Sequence, residues 1–186
     1  MLSEASRRDF FRAAPVAAAA TISASSAAAS SLSPGAPQLR LGVASYSFRM
    51  FQRGLAIKYT KELGAECISI KEFHLKIKDD PKEWARGRAE FEKAGLKITG
   101  GGTITMVNDD PEEIKFNFDY CKAAGIPMIV AAPSAKSLAT IEKFIKQYDI
   151  KVAIHNHGPE DKHFPAPQDA LKLIKDMDPR MGVCVD

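Results

Sequence analysis

Short apolar runs alternate with longer amphipathic stretches along this chain, always in the same order. The short runs follow the two-residue period of strands, and the longer ones follow the period of helices that cover one side of a sheet. We predict strands over Leu39 to Ser47, Glu66 to Phe73, Lys97 to Thr105, Pro127 to Ala132, Lys151 to His157 and Met181 to Asp186. We predict helices over Leu55 to Leu63, Asp80 to Ala94, Pro111 to Ala124, Ser134 to Tyr148 and Pro167 to Met177.

Start and stop signals support these helix boundaries. Asp followed by Pro, as at Asp80 and Asp110, is typical of an N-cap and the first helical position. Glycines that suit a C-cap stand just before the next strand, at Gly64, Gly95 and Gly125. Strand starts recur at intervals of roughly 25 to 30 residues, a spacing typical of βαβ units. The pattern therefore predicts an α/β fold with a parallel sheet, either doubly wound or of the (β/α)8 TIM-barrel type.

Glycine-rich phosphate loops are not found after the predicted strands. The sequence contains neither GxGxxG nor GxxxxGK[ST] there, which disfavours dinucleotide and NTPase sites. Gly100, Gly101 and Gly102 lie within or at the end of the third strand, where we expect a bulge or close backbone approach rather than phosphate binding.

Composition excludes several function classes. The chain has 186 residues, 45% hydrophobic and 26% charged, with a net charge of +3, as in an ordinary soluble domain. Basic residues are interspersed with acidic ones, so we expect no nucleic-acid partner, and no apolar run reaches the roughly 18 residues that span a bilayer. The three cysteines lack CxxC spacing and are predicted to be buried free thiols.

The N-terminal segment is similar to an export signal. Arg7 and Arg8 precede Phe10 and an Ala-rich stretch, as in twin-arginine signals, and we predict a signal over residues 1–30 and a linker over 31–38. The mature protein would then be periplasmic. The alternative is a low-complexity Ala/Ser tail.

Candidate chemistry concentrates in the sequence VAIHNHGPED. Strand alternation places His155 and His157 on one face, near the carboxyl end where parallel folds build their sites. Gly158 ends the strand, and Glu160 follows as a candidate substrate contact, with Asp161 and His163 as further candidates. The alternative interpretation is a polar strand end with solvated histidines.

Four segments together resemble the xylose isomerase-like TIM barrels, the sugar phosphate isomerase/epimerase group. They are Leu41 to Arg49, Gly64 to Leu75, His155 to Pro159 and Gly182 to Asp186. The resemblance covers residues 39–186 and implies a partial (β/α)8 barrel of about six βα units, because a full barrel needs about 250 residues. The unpaired edges of such a sheet predict association, including a homo-oligomer.

The resemblance also implies a divalent metal ion, held at the ends of the later strands. His155 stands where the family commonly has a glutamate, and Asp186 matches a sixth-strand aspartate. The candidate ions are Mn, Zn, Fe, Co and Mg, and imidazole in place of a carboxylate favours Mn, Zn or Fe over Mg. Two ligands alone bind an ion weakly, so we expect little metal retention by this chain.

Acid–base groups are predicted on two strands. Alternation points Cys67, Ser69, Lys71 and Phe73 one way, so Lys71 reaches the pocket mouth. There it acts as acid or base or orients a sugar oxygen, unless it is a surface lysine. His157 is the second catalytic candidate. Glu72 and His74 are the substrate contacts if the register shifts by one.

The predicted function is a metal-dependent sugar isomerase or epimerase that abstracts a proton next to a carbonyl. Alternatives are a lyase that eliminates the aglycone from 3-keto-glycosides, and a non-catalytic sugar-binding or truncated inactive protein. Export and the lack of a basic cluster near the pocket strands favour glycosides or free sugars over sugar phosphates. A nuclease like endonuclease IV is the weakest variant, because a zinc cluster needs more ligands.

Overall fold

A computed structural model describes residues 40–185, which form a six-stranded parallel sheet with helices between successive strands. The strands are β1 (Gly42–Ala44), β2 (Cys67–Ile70), β3 (Lys97–Met106), β4 (Met128–Pro133), β5 (Lys151–His155) and β6 (Met181–Cys184). The helices are α1 (Arg53–Glu62), α2 (Pro81–Lys93), α3 (Pro111–Ala123), α4 (Leu138–Tyr148) and α5 (Pro167–Ile174). Each strand pairs with the next in chain order. A doubly wound sheet would reverse this order, so the barrel-type prediction is confirmed.

The predicted helix caps are also confirmed. The Asp80 carboxylate accepts a hydrogen bond from the Lys82 backbone N–H at 2.7 Å, and Asp110 accepts from Glu112 at 3.0 Å. These bonds satisfy backbone donors that a helix start leaves without an internal partner. The predicted C-cap glycines adopt left-handed φ angles of 67° to 72°, which any other L-residue reaches only with strain, at Gly64, Gly95 and Gly125.

The two faces of the sheet differ in chemistry. Ile68, Ile129 and Ile154 point into the helix-covered core and are fully or almost fully buried. The opposite, inner face carries small or polar residues such as Ser69, and it includes Ala153. Since alternate residues of a strand share a face, His155 lies on the inner face with Ala153.

Four strands end earlier than predicted, among them β6, which ends at Cys184 rather than Asp186. β1 ends at Ala44 rather than Ser47, because a 3-10 turn, Ser45–Phe48, follows it. β2 ends at Ile70 rather than Phe73, and β5 ends at His155 rather than His157. The predicted alternation through Phe73 is therefore wrong beyond Ile70.

Helix α4 begins at Leu138 rather than at the predicted Ser134. The Ser134 hydroxyl donates to the Val107 carbonyl at 2.7 Å, and the Ser137 hydroxyl donates to the Met106 carbonyl at 2.6 Å. These long-range bonds fix the preceding residues as a turn against the end of β3. Helix α5 likewise stops short, at Ile174 instead of Met177.

Strand β3 is irregular at the triple glycine, as predicted. The register skips a residue at Thr99 against β2 and at Thr103 against β4. Gly102 has a φ of 124°, and a Cβ atom there would overlap the Val130 carbonyl. The bulge and the close backbone approach therefore both require glycine.

Some predictions lie outside the described residues. These are the signal over 1–30, the linker over 31–38 and the ligand Asp186. Within residues 40–185, no helix combines the length and apolarity needed to cross a membrane. In the same range β1 pairs only with β2, and β6 only with β5.

Candidate active site

The carboxyl ends of parallel strands gather at one edge of a sheet, where barrel folds place their sites. A pocket of 480 Å³ opens beside the ends of β1 and β2 and the irregular part of β3. It is lined by Tyr46, Lys71, Glu72, Phe73, Lys76, Gly102 and Thr103. We call this the aromatic pocket.

Two half-exposed rings form the apolar wall of the aromatic pocket. Tyr46 and Phe73 are 50% and 55% exposed, and their rings meet edge to face with centroids 5.8 Å apart. The Arg49 guanidinium lies 4.5 Å from the Tyr46 ring centroid and covers part of that ring. Large aromatic surfaces left open in a pocket are available to a ligand.

Two lysines line the pocket together with this aromatic wall. Lys71 and Lys76 both line the pocket, against the single carboxylate of Glu72. The loop after β2 brings Lys76 back to the pocket beside Lys71 and Glu72. Lys71 lines the pocket, and its acid–base or orienting role stays a prediction. Its backbone N–H donates to the Ser45 hydroxyl at 2.8 Å.

His74, which was predicted to contact substrate, lies in a buried environment. Its side chain is buried, with the residue only 3% exposed. Nδ1 lies 3.0 Å from the Ser45 hydroxyl, and Nε2 lies 3.2 Å from the carbonyls of both Phe48 and Phe51. Burial lowers the pKa of the imidazole, although the hydrogen bonds to the carbonyls partly oppose this. His74 thus ties the loop after β2 to the turn after β1.

Arg53, in helix α1, adds further contacts to the loop that contains His74. It donates to the His74 carbonyl at 3.1 Å and forms a two-point pair with Glu90 at 2.7 and 2.8 Å. This hydrogen-bonded pairing raises the pKa of Arg53 and lowers that of Glu90. The aromatic pocket is therefore held by fixed contacts before any ligand arrives.

The second cluster lies at the end of β5 and contains His155, His157 and Asp161; we call it the histidine cluster. The two imidazole rings meet edge to face with centroids 4.2 Å apart, so their predicted convergence is confirmed. His157 Nδ1 lies 3.4 Å from an Asp161 carboxylate oxygen. Glu160, the predicted substrate contact, is exposed in the same loop.

Asp161 is held firmly behind His157. The other carboxylate oxygen accepts hydrogen bonds from the backbone N–H groups of His163 at 2.9 Å and Phe164 at 3.2 Å. Burial alone would raise its pKa, but these bonds and the contact with His157 keep the pKa below its ordinary value. Asp161 therefore remains ionised and can orient the imidazole of His157.

A complete metal site is not formed by the described residues. Within 40–185, no three His, Cys, Asp or Glu side chains are arranged to hold an ion. His155 lies opposite Cys184 in the pairing of β5 with β6. The other predicted ligand, Asp186, is beyond the described range, so the predicted pair is not tested.

The two clusters lie on separate strands. Neither His155 nor His157 lines the aromatic pocket. Strands β2 and β5 are separated by β3 and β4, and three spacings of about 4.8 Å amount to roughly 14 Å along the sheet. Lys71 and His157, the predicted catalytic pair, therefore belong to different clusters.

Solved structures with a similar fold include xylose isomerase-like TIM barrels and sugar epimerases, which confirms the predicted fold. An uncharacterised protein from Parabacteroides distasonis is 25% identical with a TM-score of 0.68, over 79% of this chain and 62% of that one. D-psicose 3-epimerase is 16% identical with a TM-score of 0.59, over 78% and 62%. A xylose isomerase domain-containing protein from Salmonella typhimurium is 14% identical with a TM-score of 0.60, over 74% and 56%.

The chain thus spans less than two thirds of the length of these structures. No protein-family model matches the sequence, and no curated protein matches it. At these identities the comparisons establish the fold.

Proposed function

We propose that this chain belongs to a metal-dependent carbohydrate enzyme that removes a proton from the carbon next to a carbonyl, as a sugar isomerase or epimerase. The observation that carries the proposal is the convergence of His155 and His157 at the carboxyl end of a barrel strand. Epimerases among the structures of similar fold support the choice of substrate class. Fold alone would leave the chemistry open.

His157 is the proposed proton carrier. Its Nδ1 faces the ionised Asp161, which leaves Nε2 as the atom that exchanges a proton with the substrate carbon. The electron pair released from the C–H bond forms the double bond of an enediolate. Transfer of the hydroxyl proton between its two oxygens and reprotonation at the neighbouring carbon give isomerisation. Reprotonation of the original carbon on its other face, by an acid on that face, gives epimerisation. Lys71 orients a substrate oxygen from the aromatic pocket.

A divalent metal ion would stabilise the charge that develops on the carbonyl oxygen. We propose His155 and Asp186 as two of its ligands. The described residues supply too few donors for a site, so this proposal requires ligands beyond residues 40–185.

A lyase is the second candidate, and the separation of the two clusters favours it. A 3-keto-glycoside could place its sugar at the histidine cluster and its aglycone in the aromatic pocket. Loss of the proton next to the ketone would form a carbon–carbon double bond as the bond to the aglycone oxygen breaks. The aglycone leaves with the electron pair and takes up a proton. Periplasmic export, which we also propose from the N-terminal sequence, would expose the enzyme to glycosides.

Exchange of substrate hydrogen with deuterated solvent tests the proposal. We expect the full chain, supplied with Mn²⁺, to exchange the α-hydrogen of keto sugars or 3-keto-glycosides, and His157→Asn to abolish the exchange. Asp176→Asn is the control, because Asp176 pairs with Lys175 on the surface and belongs to neither cluster. Sugar binding without exchange across the panel would reject the enzyme and favour a sugar-binding protein.

A further inference from the structure

We propose that the aromatic pocket binds a phenolic ring, and that this ring is the aglycone of the glycoside whose sugar reacts at the histidine cluster. The assignment rests on the proposed function. It adds a substrate class, an aryl glycoside, that a sugar isomerase or epimerase would not require.

The apolar wall has the chemistry that an aromatic ring recognises. Tyr46 and Phe73 hold each other edge to face, so a third ring can stack against Phe73 in the offset arrangement that aromatic pairs prefer. About half of each side chain is open, while Arg49 restricts access to Tyr46. Phe73 is therefore the main stacking surface.

The polar wall selects a phenol over a plain hydrocarbon. Lys71 and Lys76 line the pocket together with the two rings. An ammonium group attracts the face of an aromatic ring, and it also donates a hydrogen bond to a phenolic oxygen. Glu72 can accept a hydrogen bond from a ring hydroxyl. Such charge complementarity suits an oxygen-substituted ring.

The size and rigidity of the pocket suit a small ring system. Its volume of 480 Å³ falls within the range of about 300 to 1,000 Å³ that is usual for small-molecule sites. Ser45 binds both the Lys71 backbone and the His74 ring, which fixes the walls relative to each other. Gly102 lines the pocket without a side chain. The ligand therefore enters a site that is already formed, which improves affinity.

Separation of the clusters makes the ring a distinct part of the ligand. No histidine lines the pocket, so a group that fills it is not the group undergoing proton transfer. The three strand spacings amount to roughly 14 Å along the sheet, a distance that a sugar linked to an aromatic ring can span. The reacting sugar and the bound aglycone are thus assigned to different ends of one molecule.

Binding of paired glycosides to the full chain tests the inference. We expect 4-nitrophenyl β-D-glucoside to bind roughly tenfold more tightly than methyl β-D-glucoside in calorimetric or NMR titrations, since ring stacking and burial contribute to the first alone. Phe73→Ala should abolish this preference, and Lys76→Ala should reduce it. Phe116→Ala is the matched control, because this ring is 43% exposed on α3 and does not line the pocket. Circular dichroism checks that each variant folds.

Equal affinity for the two glycosides, or a preference that survives Phe73→Ala, would overturn the inference. Binding of neither glycoside would overturn it as well. Deuterium exchange in keto sugars without an aryl preference removes this inference and leaves the proposed function intact. An aryl preference that depends on Phe73, without exchange in any substrate, supports the pocket assignment and rejects the proposed function.

Discussion

The aromatic pocket and the histidine cluster lie at the same edge of one sheet, yet they are built in opposite ways. The pocket has walls fixed by buried polar contacts, with His74 bonded to the turn after β1 and Arg53 bonded to the His74 carbonyl. The histidine cluster includes a partly exposed loop, in which the Asp161 carboxylate contacts His157 and accepts a hydrogen bond from the His163 backbone N–H. Binding surface and proton chemistry are therefore supplied by different strands.

This difference indicates a division of work along the edge. A rigid, partly apolar pocket suits recognition, because little ordering is needed when a ligand binds. Ionisable side chains at an open strand end suit proton transfer, because substrate must reach them and leave. The predictions below disturb one side at a time, beginning with the pocket.

The largest effect is expected for Gly102→Ala. The new Cβ would overlap the Val130 carbonyl, and the positive φ of 124° strains any other residue. We expect a loss of about 3 kcal/mol or more in the free energy of unfolding, measured in urea. Gly54→Ala is the control, since nothing lies within 4 Å of its added Cβ. This variant should be slightly more stable, because alanine favours a helix more than glycine does. Equal stability of the two variants would contradict the account of β3.

A smaller effect is expected from protonation of His74. Its folded-state pKa is lowered by burial, so the unfolded chain binds the proton more readily. The contribution of neutral His74 to the free energy of unfolding is complete above the ordinary imidazole pKa of about 6.5. It is lost as the pH falls below that value. Urea unfolding between pH 7.5 and 5.5 should show this loss, and His74→Asn should flatten the profile relative to His163→Asn. Parallel profiles for the two variants would show that His74 does not contribute.

The smallest effect on stability is expected at the histidine cluster. Asp161→Ala removes the acceptor for the backbone N–H groups of His163 and Phe164 and should destabilise the chain by about 1 kcal/mol. Hydrogen exchange should accelerate at those two amides while the core amides of β4 keep their protection. Asp176→Ala, at an exposed ion pair with Lys175, is the control and should change neither quantity. Unchanged exchange in Asp161→Ala would show that the loop is held by other contacts.

Local sequence signals predicted most of the fold. Asp80 with Pro81, and the glycine at 95, mark helix ends through contacts within a few residues, which a sequence displays directly. The boundaries that were wrong depend on distant partners. Ser45 ends β1 because it contacts Lys71 and His74 across the loop, and Ser134 delays α4 because it bonds to Val107.

The candidate site was only partly predictable for the same reason. Strand alternation was enough to bring His155 and His157 together. Alternation placed Lys71 and Phe73 on one face, but it could not add Tyr46 and Lys76, because these two residues lie beyond the ends of β1 and β2. In the sequence Asp161 is one of several candidates, and the structure places its carboxylate beside His157. The sequence offered one signal for its position. An Asp two residues before another polar residue, in a Pro- and Gly-rich loop, is typical of a turn in which the Asp side chain accepts a hydrogen bond from the nearby backbone.

The location of a bound aryl glycoside tests the division of work most directly. In NMR spectra of the full chain with 4-nitrophenyl β-D-glucoside, we expect contacts from the nitrophenyl protons to the rings of Phe73 and Tyr46, and contacts from the sugar protons to His157. Sugar protons against Phe73, or the nitrophenyl ring against the histidines, would contradict the account.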